Sequence, residues 1–223
     1  MFMIPAVAGQ QQSGERYTMT AENRPFIVFE GIDGSGKSTI AEMIYRHYES
    51  RGIPAYRGAE PSQGKWGREI RALLGSGEPV SVKEQLRLFL LDREDDVRNN
   101  ILPAMVAGKM VILDRYYHSN AAYQGALDED PRLIIDINLE QGFPVPDRVY
   151  LLDIDAESAL QRIRERDPSG ITDFFEKKNL LQKIRANYLS FTGPDFIVID
   201  SNLPASHVFE TVKNDIDITF FSA

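Results

Sequence analysis

No cysteine occurs anywhere in the 223 residues. That absence excludes a disulfide framework, a thiolate zinc site, an iron–sulfur cluster and a cysteine nucleophile. Histidine is scarce too, and His47, His118 and His207 show no metal-binding spacing. No stretch approaches the roughly 18 to 20 apolar residues that a membrane-spanning helix needs, so no membrane partner is expected. Positive charge is also in short supply, with 25 Lys and Arg against 33 Asp and Glu and a net charge of −8. Non-specific attraction to nucleic acid is therefore disfavoured, and any phosphate binding has to be local. Residues 1–24 carry Pro5, Gly9 and the run Gln10, Gln11 and Gln12, with no basic stretch ahead of an apolar one. They read as a flexible polar leader rather than a secretory signal. A chain with these features is expected in the cytoplasm.

What remains has a globular balance, with 43% hydrophobic and 26% charged residues. At roughly 150 residues per domain, 25–223 fit a single domain. Short apolar runs at 26–29, 109–113, 148–152 and 196–199 each lead into a turn and a helical pattern, and 53–56 is a weaker candidate. Continuous apolar runs alternating with helices indicate strands buried on both faces. The expected fold is α/β, a doubly wound parallel sheet of about five strands with helices on both faces. The longest helical pattern covers 81–107, with Leu86, Phe89, Leu90 and Val97 at helix spacing. Its acidic residues Asp92, Glu94, Asp95 and Asp96 read as a solvated face.

Directly after the first run, Gly31-Ile32-Asp33-Gly34-Ser35-Gly36-Lys37-Ser38 matches the pattern G-x-x-x-x-G-K-[ST]. Glycines let the backbone fold close around an anion, and the N–H groups entering the next helix point at phosphate oxygens. Lys37 adds a mobile cation for the terminal phosphates. Ser38 offers a hydroxyl to Mg²⁺, which prefers oxygen ligands. An ATP site formed by residues Gly31 through Ser38 and by Thr39 is expected. The loop alone does not choose among switches, motors and kinases, but the base-reading N-K-x-D of a switch GTPase is absent.

The strand at 109–113 ends in Asp114-Arg115-Tyr116, followed by Ser119-Asn120-Ala121-Ala122-Tyr123. Ligands of open α/β sheets sit beyond the carboxyl ends of strands, so this segment should face the phosphate loop. Asp114 can hold Mg²⁺ or its waters, and the planar fork of Arg115 suits a second phosphate group.

With Glu60-Pro61, and with Phe89 and Arg93 one turn apart on the long helix, these residues resemble the thymidylate kinases among the P-loop nucleoside monophosphate kinases. The resemblance covers about 24–223. It implies that Phe89 stacks on thymine, Arg93 bonds its O4, Arg115 clamps the acceptor phosphate and Asn120 faces the base. It further implies that Tyr123 crowds the sugar C2 position and that Asp33 lies near the 3′-hydroxyl and the metal. The stretch 162–174 resembles the family's arginine-bearing lid, with Arg164 and Arg166 as lid arginines, and a homodimer is implied as well.

Three positions depart from the family pattern. Gly34 stands where some members carry a loop arginine, and Ala59 stands where Arg precedes Glu-Pro, so that Arg71 is expected to supply that phosphate contact. The third is Asp173-Phe174-Phe175-Glu176, which lacks a usual basic residue. The reading is transfer of the ATP γ-phosphoryl group to dTMP, with Lys37, Arg115, Arg164 and Arg166 as catalytic cations. Two alternatives stay open. One is a kinase acting on another nucleotide or a deoxynucleoside, with Glu60 as base, and the other is an inactive nucleotide-binding protein.

Overall fold

A computed structural model of the chain describes residues 24–77, 79–127, 129–167 and 174–222, with the side chains of 174–176 left out. Residues 1–23 of the leader and the segment 168–173 of the expected lid, which includes Asp173, lie outside the described residues.

Five parallel strands run β1 (Phe26–Glu30), β2 (Ala55–Ala59), β3 (Met110–Asp114), β4 (Arg148–Asp153) and β5 (Phe196–Asp200), ordered β2-β3-β1-β4-β5. All residues of β1 and β3 are buried, as their unbroken apolar runs require of strands covered on both faces. β2 lies at an edge and begins two residues into the weak apolar run 53–56, just after Pro54, whose carbonyl accepts from the Met110 N–H at 2.9 Å. Its outward Arg57 pairs with Glu42, which is why its hydrophobic signal was faint.

Helix α1 (Lys37–Ser50) and helix α9 (Ala205–Ile216) cover one face, placing Ile40, Ile44, Tyr48, Val208 and Val212 against Ile27, Phe29 and Tyr150. On the other face lie α2 (Lys65–Gly75), α3 (Val82–Asp96), α4 (Leu102–Val106), α5 (Tyr117–Gly125) and α6 (Pro131–Glu140). There Val97, Ile101, Ala104, Tyr116 and Tyr117 pack on Phe26, Val28, Val111 and Leu113. A third cluster joins α5 to α7 (Ala156–Arg166) and α8 (Phe174–Ser190) through Ala122, Ala159, Leu160, Leu181 and Ile184. Helix starts follow their caps. Ser81 accepts from the Glu84 N–H at 3.2 Å, and Asp155 accepts from the Glu157 and Ser158 N–H groups at 3.0 and 2.9 Å.

The long helical pattern 81–107 is realised as α3 and α4 joined by one π turn over Val97–Ile101. Pro103 cannot donate an N–H and crowds the preceding turn, and the wider turn relieves that conflict. The acidic stretch is corrected by the structure: Asp92 and Asp96 are buried. Asp92 accepts from the Ser62 N–H at 2.7 Å and its hydroxyl at 2.6 Å, and Asp96 accepts from Asn100. The solvated face ends where α3 meets the chain following β2.

The connection from β1 reaches β2 on one side, whereas β3 to β4 crosses to the other side of β1. A crevice opens at such a reversal, beyond the carboxyl ends of β1 and β3.

Candidate active site

The 31–38 loop and the segment 114–115 meet in that crevice. A cavity of about 400 Å³ is lined by Asp33 to Ile40, Asp114, Arg115, Arg162, Ile163, Arg166 and the chain after β5, including Ser201 and Leu203. Lys37 and Arg115, separated by 78 positions, thus share one chamber.

Gly34 sits at φ +85°, and a Cβ there would lie 2.5 Å from the Ala159 carbonyl of α7. A larger side chain at this position, an arginine included, has no room in this loop conformation, and positive charge has to come from elsewhere. Lys37 donates to the Ile32 carbonyl at 2.9 Å and to Ser35 Oγ at 3.4 Å. Burial lowers its amino group to about 8, with Arg115 acting in the same direction and Asp114, Asp33 and Glu30 opposing. Ser38 Oγ donates to Asp114 Oδ2, while Asp114 Oδ1 is buried and has no hydrogen-bond partner among the described residues. A hydroxyl and an unpaired carboxylate oxygen converging from α1 and β3 form a donor set that suits Mg²⁺.

Arg115 is the one non-glycine residue among those described in the left-handed region, at φ +75°. Such a conformation costs of order 1–3 kcal/mol and persists where surroundings over-determine it. Here the Arg115 N–H donates to the Phe29 carbonyl at 2.9 Å. The guanidinium donates to the Gly31 carbonyl at 3.3 Å, Ser119 Oγ at 3.2 Å, the Tyr123 hydroxyl at 3.1 Å and the carboxylate of Asp33. Beneath it, buried Glu30 accepts from the N–H groups of Tyr116 and Ser119 at 2.9 and 3.2 Å, and from the hydroxyls of Ser119 and Tyr188 at 2.6 and 2.9 Å. Burial raises the Glu30 carboxyl above its usual range even though these donors pull it down. Glu30 thus fixes the start of α5, and with it the direction of Arg115.

A second cluster lies deeper, between α3 and α6. Arg93 is 1% exposed. It donates from Nε and Nη2 to both oxygens of buried Glu60 and from Nη1 to Asn138 Oδ1 at 2.5 Å. Burial raises the Glu60 carboxyl above its usual range, against the pull of Arg93. Phe89 is half-buried one turn earlier on α3. Asn120 donates to Gln124 at 3.3 Å, and Gln124 in turn to Gln85 of α3 at 3.1 Å. Arg71 donates to the carbonyls of Pro61 and Ser62 at 2.8 and 2.7 Å, so it braces the loop after β2. That loop lies tight on α2, where a Cβ on Gly67 would come within 1.9 Å of the Ser62 carbonyl.

A family model described as thymidylate kinase matches residues 29–212. The chain is 42% identical to the "Probable thymidylate kinase" of Archaeoglobus fulgidus over 86% of its own length and 94% of the relative's. It is 41% identical to the thymidylate kinase of Leptospira borgpetersenii, over 82% and 88%, and 40% identical to that of Akkermansia muciniphila, over 87% and 92%. The chain belongs to the thymidylate kinase family.

Of the two arginines expected in the lid, Arg166 lines the cavity in this family member. Arg162 and Arg166, one turn apart on α7, line the cavity, whereas Arg164 is not part of its wall. Arg162 and Arg166 flank one edge of the apolar stripe Ala156, Ala159, Leu160 and Ile163, and Arg164 flanks the other. That phase was readable in the sequence and was the signal missed. Glu30, Asn138 and Ser201 were missed for a different reason, since each acts through partners distant in the chain and no local pattern marks it.

Proposed function

We propose that the chain transfers the γ-phosphoryl group of ATP to the 5′-phosphate of dTMP, giving ADP and dTDP. The observation that carries this reading is Lys37 and Arg115 facing one cavity, so that two phosphate groups can meet end to end. The loop N–H groups and Lys37 bind the donor phosphates. Arg115, already aimed by Glu30 and Ser119, exchanges its Asp33 partner for the acceptor phosphate and holds its oxygen in line. An acceptor phosphate oxygen attacks the γ-phosphorus, and the bond to the β-bridging oxygen breaks with ADP leaving. The attacking oxygen is already an anion, so no general base is required. Arg162 and Arg166 neutralise charge on the moving group in place of the excluded loop arginine. Mg²⁺ held by Ser38 and Asp114 would supply further neutralisation of the donor phosphates.

On the acceptor side, Phe89 offers a stacking face and Tyr123 a wall beside the sugar, whereas Arg93 and Asn120 are buried and paired with Glu60, Asn138 and Gln124, so the base contacts expected of them require those partners to be exchanged. Arg71 reaches the acceptor phosphate only through the loop that it braces. Glu60 is committed to Arg93 inside the protein, which weighs against a role as base for a nucleoside hydroxyl. We further read the enzyme as a cytoplasmic homodimer, which light scattering of the purified protein tests for assembly.

The deciding experiment is ADP release across a panel of nucleoside monophosphates. dTMP should be the best acceptor, and turnover of AMP or GMP alone rejects the assignment. Lys37→Ala should lower kcat by about 10²- to 10³-fold with an unchanged fold, the scale expected when one pre-positioned charge is lost.

A further inference from the structure

The residue after β5, Ser201, is 3% exposed, lines the cavity, and ties two further parts of its wall, α7 and the phosphate loop, to β4. Its N–H donates to the Asp153 carbonyl of β4 at 2.8 Å. Its carbonyl accepts from Arg162 Nη2 of α7 at 2.8 Å, and its hydroxyl donates to the Ser35 carbonyl in the phosphate loop at 2.9 Å. The last bond matters most. A loop that turns its N–H groups toward an anion turns its carbonyls away, into protein, where each needs a donor. In a planar trans peptide the carbonyl of Ser35 and the N–H of Gly36 point in opposite directions. Fixing one therefore aims the other.

Sterics do not fix that peptide. Gly36 has φ +94°, and a Cβ built on it would meet nothing within 4 Å. As a glycine in open space it could take either sign of φ, so the peptide could rotate and carry its N–H away from the phosphate. We infer that Ser201 is a positioning residue for the donor phosphates: its hydroxyl locks the Ser35–Gly36 peptide with the Gly36 N–H toward the cavity, and its carbonyl registers Arg162 on the same anchor. The inference rests on the reading of this cavity as the ATP site.

The test compares wild type, Ser201→Ala and Lys37→Ala by calorimetric ATP binding, and wild type and Ser201→Ala by steady-state kinetics, after thermal melts establish folding. Ser201→Ala should weaken ATP binding and raise KM for ATP about three- to tenfold, the effect of one buried hydrogen bond. KM for dTMP should stay within twofold. Because the lock acts on phosphates, the ratio of kcat/KM with ATP to that with GTP should also stay within twofold, whereas a mere shift of the base-facing wall would change it. Unchanged ATP affinity, equal rises in both KM values, or a changed ATP-to-GTP ratio overturns the inference. If Lys37→Ala binds ATP as well as wild type, the donor-site reading itself fails. If Lys37→Ala weakens binding and Ser201→Ala does not, only the lock fails.

Discussion

His118 shows what a single half-buried side chain can demand. Its ring lies against Tyr117, Phe196 and Phe191 at 4.5, 5.4 and 5.7 Å, and Nδ1 is buried without a hydrogen-bond partner among the described residues. Burial, helped by nearby Arg93, lowers its pKa to about 3. In the unfolded chain the imidazole titrates near pH 6.5. As pH falls through that value the unfolded state takes up a proton that the folded state refuses, so stability is full above about 6.5 and is lost progressively toward 3. At pH 5 the loss amounts to at most about 2 kcal/mol. His118→Phe, which keeps the aromatic packing, should lose about 1 to 2 kcal/mol less than wild type between pH 7 and pH 5 by urea unfolding. Equal losses would mean that the ring finds a partner when protonated.

At the scale of elements, α3 does more than cover the sheet. Asp92 and Arg93 reach Ser62 and Glu60 in the loop after β2, so helix and loop are assembled through buried polar groups. Removing one member of a buried ion pair leaves the other charged and unpaired, a loss of roughly 3–5 kcal/mol, while removing both is much milder. Arg93→Met and Glu60→Leu should each destabilise on that scale, and the double variant should fall well short of their sum in chemical denaturation. Simple additivity would show that the two side chains act independently.

The same elements explain how far the sequence could be read. The phosphate loop was legible because its glycines and Lys37 are contiguous and the physical need for them is local. Asp114-Arg115 was legible from its place at a strand end. Asp92 was misread because a carboxylate on a helix faces solvent by default, and only its partner 30 residues away reverses that. The positive φ of Arg115 left no mark either, since arginine carries no preference for that conformation.

At the scale of the whole molecule, the cavity draws on the loop after β1, on β3, α1, α7 and α9, and on the chain after β5. A ligand that bridges so many elements stabilises all of them together, and only in the folded state. ATP at a hundredfold its Kd should add about 2.7 kcal/mol. For a chain of this length that corresponds to about 5 to 10 °C in Tm. Differential scanning fluorimetry checks this, and Lys37→Ala should show a much smaller rise at the same ATP concentration.

Arg115 rests on Asp33, and Lys37 lies within the influence of Asp114. Two acids therefore offset two of the four bases that line the crevice, and Arg162 and Arg166 are its surplus, on a protein whose net charge is acidic as a whole. A bare triphosphate carries more negative charge than those two arginines offset, whereas one that travels with a divalent companion brings the remaining charge itself. The supply of free divalent ion, as much as that of nucleotide, should then govern how often the enzyme is filled.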